Sequence, residues 1–321
     1  MKVFYLTLEQ MLMMFFLIAA GCFLRRKKLI PENTGSILAK LETLIFVPAL
    51  SLYTQMTRCT VENFRKNAVL MLYGLGLTLA AIAVATLLSF LFVPKAKTAA
   101  KRYERNIYKY AATFGNFGFM GNFIVLGIWG EEMFFKYSLF CFFISILCNS
   151  WGLFILVPKD QNAGIWQNLK KGLLTPPVLA ILLGMVLGLT GWTNYVPGFL
   201  VRAFETAGDC QGPVAMVLAG IVIGGYRFGN ILKKWKVYII TVLRLIAIPA
   251  VMLLVLRLFG VSDELLSLSL VAFATPMGLN TIVFPAAYGG ETETGASMAL
   301  ISHTISVITI PLMYLVFVVL L

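Results

Sequence analysis

Charge is scarce in this chain. Asp, Glu, Lys and Arg make up 12% of its 321 residues against 60% hydrophobic, too few polar side chains to cover a water-facing surface, and this excludes a soluble domain. Histidine is almost missing: His303 stands alone, with no Cys/His/Asp cluster beside it, so the grouped acid, base, nucleophile or metal ligands of an enzyme are absent. The five cysteines, Cys22, Cys59, Cys141, Cys148 and Cys210, show neither metal-site spacing nor an even pairing and read as small apolar residues. Acidic residues are rarer still than basic ones, and the net charge is +12. The basic residues gather in particular connections, which points away from nucleic acid and toward membrane topology.

What the chain has in abundance is apolar runs. Windows of about 20 residues place spans near 6–24, 35–56, 67–93, 107–129, 134–157, 173–191, 210–226, 237–259, 264–288 and 294–320. The connections after spans one (Arg25, Arg26, Lys27, Lys28), three (Lys95, Lys97, Lys101, Arg102, Arg105, Lys109), five (Lys159, Lys170, Lys171) and seven (Arg227, Lys233, Lys234, Lys236) are basic. The even connections are poorer. By the positive-inside rule the odd connections are cytoplasmic, which puts both termini outside a cytoplasmic (inner) membrane, and the surplus charge contacts anionic lipid. Leu17 to Cys22 faintly matches a lipoprotein cleavage box, yet its basic cluster follows the apolar run instead of preceding it, so the first span reads as retained.

Ten spans divide into two sets of five, and because five is odd the second set crosses in the opposite sense, the condition for an inverted repeat. Leu41-Glu42-Thr43 leading to Pro48 in span two has a counterpart in Phe204-Glu205-Thr206 leading to Pro213 in span seven. The expected fold is therefore all-α and polytopic, with repeats at 1–160 and 161–321 joined through a loop at 158–172. Residues 196–208 read as an interfacial turn. Gly74, Gly76, Gly184, Gly188, Gly220, Gly224 and Gly225 read as close-packing positions, and Pro48, Pro213, Pro249 and Pro311 as kinks.

Two spans carry breaks at matching places: Gly115 to Asn122 in the fourth, and Pro276 to Asn280, with Pro285 beyond, in the ninth. Irregular backbone at membrane depth persists only where protein surrounds it or where it lines a cavity. A helix interrupted there exposes an N-terminus with free N–H groups and about half a positive charge, a natural anion site. Asn116, Asn122 and Asn280 add amide donors without net charge. The candidate substrate site is thus Asn116, Gly118, Gly121, Asn122, Pro276, Gly278, Asn280 and Thr281, with Thr113, Thr275 and Thr281 as hydroxyl ligands or caps of the half-helices. The same asparagines also serve simply to satisfy the unwound backbone, and that alternative stays open. Intramembrane ionisable groups are few: Glu42, Asp209, Arg244 and His303 are the candidates for ion coupling, Arg244 also for pairing with a carboxylate.

Four patterns in order match a known family. Asn116-x-Gly118-Phe119-x-Gly121, Thr175-Pro176-Pro177-x-x-Ala180-x-x-x-Gly184, Pro276-x-x-x-Asn280 and Ser302-x-Thr304-x-Ser306-x-x-Thr309-x-Pro311 together resemble the auxin efflux carrier family, including its bacterial malate-permease-like members, over nearly the whole chain. The resemblance implies a ten-helix inverted-repeat fold with crossing, broken helices four and nine, helices one, two, six and seven as scaffold, and helices three to five and eight to ten as a moving transport domain. It implies carriage of small organic anions by alternating access. Relatives often carry Pro where this chain has Phe123, and Ala where it has Gly278, so Gly115, Gly118, Gly121 and two asparagines have to sustain the first break. A cation/proton antiporter of similar architecture would want acids at the crossing, and the breaks contain none. A channel or sensor on a carrier fold is the other alternative. No cofactor is expected; the coupling ion, Na⁺, H⁺ or none, and self-association as a homodimer are left open.

Overall fold

The computed structural model describes residues 2–157, 164–226, 229, 233–287 and 290–320, and among these the chain is helical, without a strand. In chain order the helices are α1 (Lys2–Arg26), α2 (Thr34–Arg58), α3 (Val61–Phe92), α4 (Ala99–Thr113), α5 (117–129), α6 (131–156), α7 (Gly164–Leu173), α8 (Pro176–Thr190), α9 (Gly198–Gly224), α10 (Trp235–Leu258), α11 (Asp263–Ala274), α12 (Asn280–Ala287) and α13 (Glu293–Leu320). Their starts follow local chemistry. The hydroxyls of Thr60, Thr98 and Ser262 accept from the backbone N–H of Asn63, Lys101 and Leu265, which supplies partners to first-turn donors that have none within the helix. Pro176 and Pro177 open α8, where a missing N–H costs nothing.

Among the described residues, seven stretches are long and apolar enough to cross a membrane: Tyr5–Arg26, Thr34–Arg58, Val61–Phe92, Phe117–Leu156, Gly198–Gly224, Trp235–Leu258 and Glu293–Leu320. The fourth of these runs for 40 residues, about twice a bilayer's need. Gly130 divides it into α5 and α6 with φ 74° and ψ −168°, a conformation only glycine adopts without strain. Three apolar segments of the sequence fall short of that length for physical reasons. The α8 helix has 15 residues, and α4/α5 and α11/α12 are interrupted.

Several sequence expectations need correction. Residues 196–208 are no interfacial turn: Gly198–Asp209 is the first half of α9, whose chain runs against Leu50 of α2 at Gly208. The inter-repeat loop is largely the amphipathic α7; residues 158–163, including Lys159, lie outside the described residues, as does Arg227. Lys101, Arg102, Arg105 and Lys109 belong to α4, not to a connection. Their long stems let the charges reach polar partners while the helix packs, as when Arg105 donates to the Val93 and Pro94 carbonyls at the end of α3.

The helices pack as two interlocked groups. The α1 helix lies along α9, and α2 lies against α8 and α9; any Cβ on Gly21 would strike the Val217 carbonyl, and one on Gly220 the Ile18 carbonyl. The α3 helix packs on α4 and α6, while α10 and α13 pack on α11 and on each other. Of the glycines read as packing positions, Gly74, Gly184, Gly188 and Gly220 do meet neighbouring backbone, whereas Gly76 faces open space. The largest fully buried side chains include Arg244, Tyr110, Tyr137, Phe114 and Phe273, and they surround the place where the two broken helices meet.

Candidate functional site: the crossing of two broken helices

The α4 helix stops at Thr113, and Phe114 turns extended with φ −108° and ψ 123°. The α11 helix stops at Ala274, and Thr275 turns extended with φ −65° and ψ 150°. The two extended pieces pair. Gly115 and Met277 form an isolated antiparallel bridge, and the Asn116 N–H donates to the Pro276 carbonyl at 2.7 Å. Backbone groups freed by one break are thereby satisfied by the other, which is how unwound chain survives in a place without water. The crossing leaves no room for a side chain at Gly115, where a Cβ would meet Arg244 Nη2 and Thr275 Oγ1 at 2.5 Å, and is tight at Gly278, where one would lie 3.1 Å from the Gly115 carbonyl.

Each chain then re-enters a helix by its own route. After the first break the Asn116 carbonyl accepts from both Met120 and Gly121 at 3.0 Å, a widened π turn over Phe117–Gly121. Tyr137 of α6 donates its hydroxyl to the Phe117 carbonyl at 3.0 Å. After the second, the Gly278 carbonyl accepts from the Thr281 N–H at 3.2 Å and the Thr281 hydroxyl at 2.9 Å, and the Met277 N–H donates to Ser302 Oγ at 3.0 Å.

Asn116 is buried and its side chain is engaged. His303 Nδ1–H donates to the Ala299 carbonyl at 2.7 Å, which leaves Nε2 to accept from Asn116 Nδ2 at 3.2 Å. Asn280, half-buried at the start of α12, directs its amide at Cys148 Sγ, 3.5 Å away, and Cys148 in turn contacts the Tyr110 hydroxyl at 3.0 Å. Asn122 is buried just past the π turn. Gly121 backs onto the Tyr137 hydroxyl, so it serves packing, and Gly118 faces open space. Thr113 and Thr275 donate to the Lys109 and Ala272 carbonyls, the role of helix-end hydroxyls rather than of ligands. Phe123, at the place where relatives often carry proline, lays its ring against Gly212 of α9, and its carbonyl accepts from Gln10 of α1 at 3.0 Å.

Arg244 lies inside a π turn of α10, Leu243–Ala247, with 0% exposure. Its Nη1 donates to the Phe273 carbonyl in the last turn of α11, and its Nε and Nη2 have no hydrogen-bond partner among the described residues. Glu42 is also fully buried, in the π turn Glu42–Phe46 of α2, with both oxygens unpartnered among the described residues; that turn packs against α8 and α9. Asp209 is exposed on α9. The crossing therefore assembles Asn116, Gly118, Pro276, Gly278, Asn280, Arg244 and His303, and leaves Glu42 and Asp209 outside. Sequence reasoning missed Tyr137, Tyr110 and Cys148, whose only signal is burial, and missed the role of Ser302, one residue before His303.

Among the described residues no group of three or more His, Cys, Asp or Glu could hold a metal. The chain is 25% identical over 205 residues to an uncharacterized transporter of Methanocaldococcus jannaschii, a match covering 62% of this chain and 64% of the relative's length. Residues 6–314 match the family described as Membrane transport protein. Over that span, with the crossing patterns in place, the chain belongs to the membrane transport protein family, the auxin efflux carrier group that its four motifs resemble.

Proposed function

We propose that this protein is a secondary transporter of small organic anions, carboxylates of the malate or auxin type, working by alternating access. Counting α4/α5 and α11/α12 as one broken crossing each, and Gly130 as a turn between crossings, gives ten crossings in two inverted sets of five, with both termini outside a cytoplasmic membrane. In this reading α1, α2, α8 and α9 are the scaffold, and the helices carrying the two breaks move the site. The observation that carries the proposal is the sign of the charge at the breaks. Two helix N-termini, at Phe117 and Asn280, begin beside one another's break, and neither 113–122 nor 274–281 contains an acid. Positive helix ends without a fixed counter-charge favour an anion, and the same lack weakens a cation/proton antiporter.

The test is counterflow in proteoliposomes with labelled malate and indole-3-acetate. Carboxylate exchange, weakened by Asn280→Ala, is the expected result; no binding or movement of any mono- or dicarboxylate removes the assignment. Exchange against a gradient also separates a carrier from a channel. Glu42 is the candidate for a proton as the coupling ion, because it is a fully buried carboxyl at membrane depth. Glu42→Gln is then expected to abolish proton-driven accumulation while counterflow continues; retained accumulation excludes Glu42.

A further inference from the structure

The crossing brings together four helix ends, and the fully buried Arg244 lies among them. The C-termini of α4 and α11 end at Thr113 and Ala274. Arg244 sits between them, donating to Phe273 O and placing Nη2 where a Cβ on Gly115 would have to go, beside the Thr275 carbonyl and hydroxyl. Burying a guanidinium at membrane depth is costly and calls for a compensating negative group. The carboxylates elsewhere do not supply it: Lys136 takes Glu264 at 2.6 Å, Arg58 takes Glu131 at 2.7 Å and Lys234 lies near Glu291 and Glu293. What Arg244 faces instead is helix-end carbonyl oxygen. Two C-termini carry roughly half a negative charge each, and one guanidinium offsets both.

The geometry points to Arg244 as the residue that sets the sign of charge accepted at the crossing. With the negative ends neutralised, the two N-termini at Phe117 and Asn280 remain as an uncancelled field of roughly one positive charge, matched by a single carboxylate. This rests on the carrier reading above and adds to it a positioning residue that acts through the helix ends without touching the ligand. Arg244 lies within the π turn Leu243–Ala247, and Pro249 follows it in α10.

The experiment compares binding of a carboxylate with that of its uncharged carboxamide by the full-length protein in detergent, for wild type, Arg244→Lys and Arg244→Gln. A unit charge about 10 Å from the ligand at an effective dielectric of about 20 changes affinity roughly tenfold. Arg244→Gln is expected to lose about that factor for the carboxylate and little for the carboxamide, and Arg244→Lys to keep most of the preference. Equal losses for both ligands, or no loss, overturn the inference, while a wild type that binds neither defeats the carrier reading itself. Gly118→Asp tests the same field independently of how Arg244→Gln folds, because a Cβ there meets nothing. A fixed carboxylate beside the N-terminus of α5 is expected to raise Tm and to block carboxylate binding; a lowered Tm with binding intact refutes the residual positive field.

Discussion

The two breaks pair with each other and differ in chemistry. The first is glycine-rich and long: Phe114 turns extended, Gly115 pairs with Met277, Asn116 bends, a π turn takes Phe117 to Gly121, and the support comes from side chains of other helices, Tyr137 on the Phe117 carbonyl and His303 on the Asn116 amide. The second is short and proline-led: Pro276 has no N–H to satisfy, Ser302 takes the one at Met277, and Thr281 closes the turn on Gly278 with its own hydroxyl. Proline removes a donor and disfavours helix at the residue before it, so the second break is largely specified locally. The first has no proline, with Phe123 where relatives often carry one, and is held open mainly from outside. Two breaks that pair with each other therefore do not require matching residues, provided the backbone groups of each find partners.

This contrast can be broken experimentally. The largest effect is expected at the shared centre: Gly115→Val would drive a side chain into Arg244 and Thr275, costing about 3 kcal/mol or the folded state altogether, read as loss of a monodisperse peak and a fall in Tm. Next come the asparagines. Asn280→Ala should weaken carboxylate binding about tenfold, the scale of a hydrogen bond to a charged group, with Tm little changed; Asn116→Ala should lower both binding and Tm, because its amide also holds His303. Removing the external supports comes third. Ser302→Ala and Tyr137→Phe each leave a buried backbone group unpaired, for about 1–3 kcal/mol, and the sharper expectation is that Tyr137→Phe harms transport more, since the first break has no proline to keep it open. The smallest effect belongs to Gly118→Ala, expected to change stability by within about 0.5 kcal/mol, because that position opens on space while Gly115 does not.

Much of this was legible beforehand in particular residues. The runs of apolar residues mark the long helices, and Pro276 with Gly278 marks the second break within a residue or two. Gly115 and Asn116 mark the first, but nothing local says that it begins at Phe114 or that Met120 and Gly121 share one carbonyl. Residues 196–208 misled because Pro197 and Gly198 look like a turn, while their position at the start of α9 is where Pro and Gly are tolerated. Lys101 to Lys109 misled for the opposite reason: charge suggested a connection, and long side chains allowed a helix.

The sequence by itself determined that this chain lives in a membrane, that two of its helices break, and that no acid stands in either break, since composition and local backbone preference decide those points residue by residue. Only the tertiary structure decided that Asn116 meets Pro276 and His303, that Gly121 packs while Gly118 opens on space, and that Arg244, 128 positions beyond Asn116, lies against the negative ends of both half-helices. Such pairings depend on where distant helices cross, and a buried polar group takes whichever partner the packing brings within reach.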